Sequence, residues 1–397
     1  MRKTRYILVI VALIAGFAIV IFKAKAGPVD EPVEEIVVEK VYTKMDSLIF
    51  RYDSIVSENI ERKGSVGAAL VITYKGEIAH LKCYGVKENG KTDSINKNTV
   101  FRLASVSKTV TGVLAGILAD EGTIGLDDKV TAYLPGFKLK DSINTTDLSI
   151  RNILSHTSGL VPHAYDNLVE AQEPFSVIMD SLRLVNISAP PGELYGYQNA
   201  VFSMYDTIAT LATSQSFAAL LQAKVFSPFG MDNASAGFAP FKENPNKAMP
   251  HSGHRVLRLN DRYYNTNPAA GINASISDMG QFLIALSGSN SNVLNSNVAD
   301  TVLSPQVLSP LRRVYLRKWN GVESKHYGLG WRIIGYNGRD VAYHGGYVRG
   351  YRAEIALCRE EEVGIAFLTN SPGNVGSMVV PVFLDMVFEE NTGLPGT

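Results

Sequence analysis

Two stretches of alternating, β-branched sequence lie towards opposite ends of the chain, and they constrain its fold more than anything between them. Val66–Tyr74 and Glu77–Gly85, joined by Lys75-Gly76, read as a hairpin with a tight turn. Tyr351–Cys358 and Gly364–Thr369 repeat the pattern around the polar turn Arg359–Glu362, and Met378–Glu389 follows as a closing helix. The residues between carry mostly helical spacing broken by Gly, Pro and Asn loops, with no repeat of solenoid length. The economical solution is an α+β fold: an antiparallel sheet formed from both chain ends (about 41–100 and 325–397) with a mostly helical insertion (about 105–320).

With 397 residues and 46% hydrophobic content, the chain can bury one large core or two smaller ones. Lys and Arg total 38 against 38 Asp and Glu, and no basic block follows the first residues, which argues against a nucleic-acid partner. The opening MRKTR and the unbroken apolar run Tyr6–Phe22 read as an export signal. As a helix that run reaches about 26 Å, near the lower limit for a span. Ala24-Lys25-Ala26 supplies a cleavage pattern, so residues 1–26 are a signal peptide or, uncleaved, a membrane anchor. Either outcome predicts a periplasmic or other extracytoplasmic location. Gly27–Lys40, rich in proline and acid, suits a tether. The folded domain is expected over 41–397, opening with an amphipathic helix over Val41–Arg62 whose apolar face carries Met45, Leu48, Ile49, Tyr52, Ile55 and Ile60. Cys83 and Cys358 lie in separate strand-like runs and are expected as small apolar side chains; pairing would need their Cα atoms within about 7 Å.

Within "FRLASVSKTVTG" (101–112), Ser105 and Lys108 stand three residues apart where irregular sequence gives way to apolar helical spacing. A helix starting at Ser105 sets both on one face, close enough to share a proton. The serine would also stand at the positive end of the helix dipole, where free N–H groups stabilise an oxyanion. Two readings stand side by side: a helix cap with a solvated charge, or a nucleophile with its base. The second requires a neutral lysine, and moving its pKa from about 10.4 towards 7 disfavours the charge by roughly 4–5 kcal/mol, so the lysine must be buried and positioned by its neighbours. The Ser-x-x-Lys spacing alone does not decide, since Ser94–Lys97 repeats it in a polar turn.

The ordered segments "FRLASVSKTVTG" (101–112), "LADEGTIGLDDKVTAYLPGF" (118–137), "NILSHTSGL" (152–160), "PPGELYGYQNA" (190–200), "AAGINASISDMGQFL" (269–283), "YGLGW" (327–331) and "YHGGYVRGY" (343–351) resemble the serine β-lactamase and penicillin-binding protein family, in the branch of class C β-lactamases, DD-peptidases and esterases. The resemblance implies a β-lactamase/transpeptidase-like fold with Ser105 as acyl-forming nucleophile and Lys108 as its basic partner. It implies that Tyr197 exchanges protons, given neighbouring cations that lower its pKa from about 10. Asn199 would bind a substrate amide and hold Lys108. His344, Gly345 and Gly346 would form a substrate-binding edge strand, with the N–H groups of Ser105 and Tyr347 as oxyanion hole. His344 departs from the lysine common in β-lactamases, which weakens recognition of a β-lactam carboxylate while leaving a group able to hydrogen-bond or titrate.

Plainer readings cover the remaining candidates. The strings Tyr165-Asp166-Asn167 and Tyr263-Tyr264-Asn265 match Tyr-x-Asn but lack the Pro191-Gly192 lead-in; Tyr195 is the rival to Tyr197. His156 is expected to shape the domain, and His251 and His254 lack the partners of a zinc site. The expectation is an exported serine hydrolase without metal or cofactor, acting through an acyl-enzyme on D-amino-acid peptides of the cell wall. β-Lactams or small esters are the alternative substrates, and a stably acylated peptidoglycan or penicillin sensor is the alternative of another class. Composition names no oligomeric state.

Overall fold

Both end-derived hairpins enter one antiparallel sheet in the computed structural model, which describes residues 43–288, 293–310, 316, 318–373 and 375–392. The signal or anchor at 1–26 and the tether at 27–40 lie outside these residues. Among those described, no helix is long and apolar enough to cross a membrane.

The eight strands are β1 (Gly67–Tyr74), β2 (Glu77–Gly85), β3 (Val307–Leu308), β4 (Val322–Tyr327), β5 (Arg332–Tyr336), β6 (Arg339–Val348), β7 (Tyr351–Cys358) and β8 (Val363–Thr369). They run in the order β2-β1-β8-β7-β6-β5-β4-β3, so the N-terminal hairpin closes on the last strand of the chain. The sheet draws on residues before 325, since β3 and β4 start at Val307 and Val322. Lys75 and Gly76 both have positive φ (50° and 76°), the conformation a two-residue turn needs to match strand twist.

Alternation along β1 sorts its side chains into two cores. Ala69 and Val71 pack towards the helical insertion, while Ala68, Leu70 and Ile72 join a second core with α1 (Lys44–Lys63) and the C-terminal helix Gly376–Thr392. The molecule is therefore three-layered: terminal helices, sheet, helical insertion. On α1 the buried stripe is Leu48, Ile49, Tyr52, Val56 and Ile60, with Ile55 at its margin in place of the expected core position. Tyr52 donates to Val379 O at 2.8 Å, and its ring meets Phe383 edge-on at 5.2 Å, tying the two ends together.

Cys83 and Cys358 are free. Two strands separate β2 from β7, a gap of about 14 Å at the usual strand spacing, and the two side chains pack on opposite faces. His251 is structural: Nε2 accepts from Asn89 N at 3.1 Å and Nδ1 lies 3.0 Å from Asn370 O. Truncating Phe383 to Ala would unseat both terminal helices from the sheet. The expected loss is about 3–5 kcal/mol, read from urea midpoints; a loss below about 1 kcal/mol would contradict the three-layer account.

Candidate active site

The α-helix after Phe101–Arg102 begins at Ser107, two residues later than the spacing predicts, and runs to Asp120 as α2. Ser105 sits in the preceding 3₁₀ turn, Ala104–Val106, and Ala104 before it is held at φ 47°, a left-handed conformation that non-glycine residues adopt at a cost. Between Phe101 and Gly116, Ser105 alone is not buried. The tight turn lifts that one hydroxyl out of an otherwise closed segment.

Gly330 locks α2 against the sheet: it has φ 81°, and a Cβ there would run into Lys108 O. Lys108 is 0% exposed, yet its Nζ donates to Asn199 Oδ1 at 2.8 Å and to Ala269 O at 3.0 Å, and lies 3.4 Å from Ser105 Oγ. Burial holds its pKa well below that of a free lysine; Asp166 pulls it up and Arg332 pushes it down further. A neutral amine has two N–H donors and one lone pair. In that state Asn199 Oδ1 and Ala269 O would take both donors, and the lone pair would face Ser105 Oγ, 3.4 Å away.

Tyr197 donates its O–H to Ser105 Oγ at 2.9 Å. It lies two residues ahead of α3 (Asn199–Thr213). Its pKa is raised rather than lowered: burial outweighs the opposing pull of Arg332 and of the Ser105 hydrogen bond. The expected cationic relief is present, from Arg332, but it is smaller than the cost of burial. Tyr195 packs edge-on to His156 and against Tyr327. His156, 1% exposed, accepts from Gln198 N at 3.2 Å and lies 4.3 Å, centroid to centroid, from the Tyr197 ring, so it orients the tyrosine segment.

Asn199 serves Lys108 with its oxygen, while its Nδ2 donates to Asp166 Oδ1 at 3.0 Å. Asp166 lies in the Tyr165-Asp166-Asn167 string that motif reading sets aside, and its other oxygen pairs with His163 Nδ1 at 2.8 Å. The Tyr263 string is structural: Tyr263 OH donates to Glu170 and Asn265 to Val169 O.

Strand β6 is interior to the sheet, unlike the expected edge strand, but β5 pairs it only as far as Tyr343. From His344 to Val348 it pairs with β7 alone and leaves a free edge beside Ser105. A Cβ on Gly346 would run into Leu103 O and come within 3.1 Å of Ser105 N, so only glycine allows this approach. Tyr347 follows, 70% exposed. Gly345 instead faces Tyr343 OH and Glu354.

His344 does not present itself to solvent. It is 0% exposed, with Nε2 3.2 Å from Tyr327 OH and Nδ1 3.2 Å from Arg332 Nη1 and 3.0 Å from Gly345 O. Burial, then Arg332 and Lys108, hold its pKa well below that of a free histidine, so it is neutral. The cation near this motif is Arg332, at the start of β5, whose guanidinium carbon lies 5.8 Å from the Tyr197 ring centroid. Among the described residues no carboxylate pairs with it, and its Nε has no partner. Sequence reading missed Arg332, although it directly follows "YGLGW". Among the described residues no group of three or more His, Cys, Asp or Glu is arranged to hold a metal.

Residues 52–381 match the family described as Beta-lactamase. Beta-lactamase-like protein 2 of Dictyostelium discoideum is 24% identical over 85% of this chain and 63% of its own length. Penicillin-binding protein 4 of Amycolatopsis lactamdurans is 28% identical over 42% of this chain and 43% of its own. The chain thus spans less than two thirds of either relative. An octameric penicillin-binding protein homologue from Pyrococcus abyssi shares the fold, with a TM-score of 0.72 and 18% identity, over 88% of this chain and 82% of that one.

The depressed Lys108 pKa has a stability consequence. Between that value and the unfolded one of about 10.4, the unfolded chain binds the proton that the native state lacks, so stability rises with pH across this window. Lys108→Met removes that component. Denaturant midpoints from neutral pH to about 10 should rise less, or fall more, in the variant than in the parent; parallel curves would mean that Lys108 is charged in the fold.

Proposed function

The chain belongs to the Beta-lactamase family, and from that premise we propose that it is a serine hydrolase that works through an acyl-enzyme, with D-amino-acid peptides of the cell wall as substrates. The observation that carries this reading is the fully buried Lys108 amine, held by Asn199 Oδ1 and Ala269 O and placed 3.4 Å from Ser105 Oγ.

In acylation Lys108 Nζ takes the Ser105 proton as Oγ bonds to the substrate carbonyl carbon. The carbonyl π pair moves onto oxygen, held by the N–H groups of Ser105 and Tyr347. As the intermediate collapses, the C–N bond breaks and the leaving nitrogen receives that proton by way of Tyr197, which stays a neutral phenol and so acts as a donor. Water then adds to the acyl carbon and gives its proton to the same pair. Ser105 leaves with a proton restored.

Arg332 supports a substrate with a free carboxylate. A guanidinium stays charged and is suited to bidentate carboxylate binding, and this one borders Tyr197 with no acidic partner among the described residues. In this reading it supplies the positive charge that neutral His344 does not. A C-terminal D-amino acid carries the matching anion. The basic-then-apolar opening of the chain supports work outside the cytoplasmic membrane, where such peptides occur.

Residues 41–397 and a Ser105→Ala variant are compared for fluorescent penicillin labelling and for turnover of a D-Ala-D-Ala peptide. Both activities should vanish in the variant; equal activity in the two proteins would sink the assignment. Arg332→Gln should raise KM for the peptide by roughly 10–100-fold, the worth of one charged hydrogen-bonded contact. A neutral short-chain ester should be far less affected. Equal effects on both substrates would count against a carboxylate partner.

A further inference from the structure

Resting on the reading of Lys108 as the base, we propose that Asp166 is a positioning residue for this reaction: it fixes the Asn199 amide and supplies the negative charge against which Lys108 becomes an ammonium. Asp166 Oδ1 accepts from Asn199 Nδ2 at 3.0 Å and Oδ2 lies 2.8 Å from His163 Nδ1. An ionised carboxylate only accepts, so the Asn199 amide must turn its nitrogen to Asp166 and its oxygen to Lys108. With the amide reversed, a donor would face the lysine donors. Continuous contacts thus run from Ser105 Oγ through Lys108, Asn199 and Asp166 to His163, whose side chain is 57% exposed.

The charge matters at one moment. When the Ser105 proton reaches Nζ, a cation forms at a site with no bulk water, and burial opposes it. Arg332 adds repulsion; His156 and His344 are buried and neutral, and Tyr197 is a neutral phenol. Asp166 is the carboxylate that acts on Lys108 in the favourable sense. Its own surroundings are the half-exposed His163, whose Nδ1 lies 2.8 Å from Oδ2, and Tyr263, whose O–H is turned to Glu170. Asp166 keeps the amine basic enough to accept the proton, while burial keeps it neutral beforehand.

The test uses single-turnover acylation by a short-chain nitrophenyl ester, whose leaving group needs no proton, so that the rate reports the Ser105-to-Lys108 transfer. Asp166→Asn keeps the shape and one acceptor but removes the charge. We expect the plateau to fall by roughly tenfold or more, and the acid limb of the pH profile to move to lower pH, because the less basic amine stays neutral further down. Asp166→Glu, which keeps the charge, should hold the limb near its parental position. Asp166→Ser serves as a second neutral variant, with unfolding midpoints recorded for all. An acid limb unmoved in whichever neutral variant folds overturns the proposal, even if the plateau falls, since a scaffold role lowers the rate without moving the limb. Ser105→Ala is run alongside: persistent acylation there would overturn the acyl-enzyme reading itself.

Discussion

A fully buried lysine amine, held by two acceptors and set 3.4 Å from a serine hydroxyl, is the constraint on which the rest of this site depends. Burying a charged lysine is unfavourable, and the helical insertion packed on the sheet lowers the pKa of this one by closing around it. One acceptor is the backbone carbonyl of Ala269, from the far side of the helical insertion, and the other is Asn199 at the start of α3. Neither acceptor is near Lys108 in sequence. The basicity of the site is therefore a property of the packed insertion rather than of the Ser-x-x-Lys string.

The sheet makes the second contribution. β6 outruns β5 by five residues, and that overhang turns part of an interior strand into a free edge beside Ser105. Gly346 lets the edge lie against the backbone of Leu103–Val106, while Gly345, facing the other way, makes room for the Tyr343–Glu354 pair. The strained turn at Ala104 and the glycine edge thus meet at the serine, the one residue of its segment that is only partly buried.

Electrostatically the site separates groups that sequence alone leaves equivalent. Burial holds Lys108, His156 and His344 well below their ordinary pKa values and pushes Tyr197 above its own. Arg332 resists, since a guanidinium cannot shed its proton. Arg332 and Asp166 therefore act on Lys108 in opposite senses, the first lowering its pKa and the second raising it.

The α+β architecture, the paired end hairpins, the amphipathic first helix and the Ser105–Lys108 relation were legible because each rests on local spacing: period two for strands, near four for helices. The start of α2, the reach of the sheet back to Val307 and the burial of Val56 in place of Ile55 were not, since neighbours from distant segments decide where a helix begins and which flank it buries. For the same reason Tyr197 could be chosen over Tyr195 by its lead-in, but its raised pKa could not be foreseen: desolvation depends on what surrounds a group in space. Asp166 sat in a string that looked redundant and Arg332 in none at all. By itself the sequence determined the order of elements and the residue types able to do acyl chemistry. Only the tertiary structure decided which of them lose water, and with it which are charged, because burial by residues far apart in the chain sets the energy of every proton in the site.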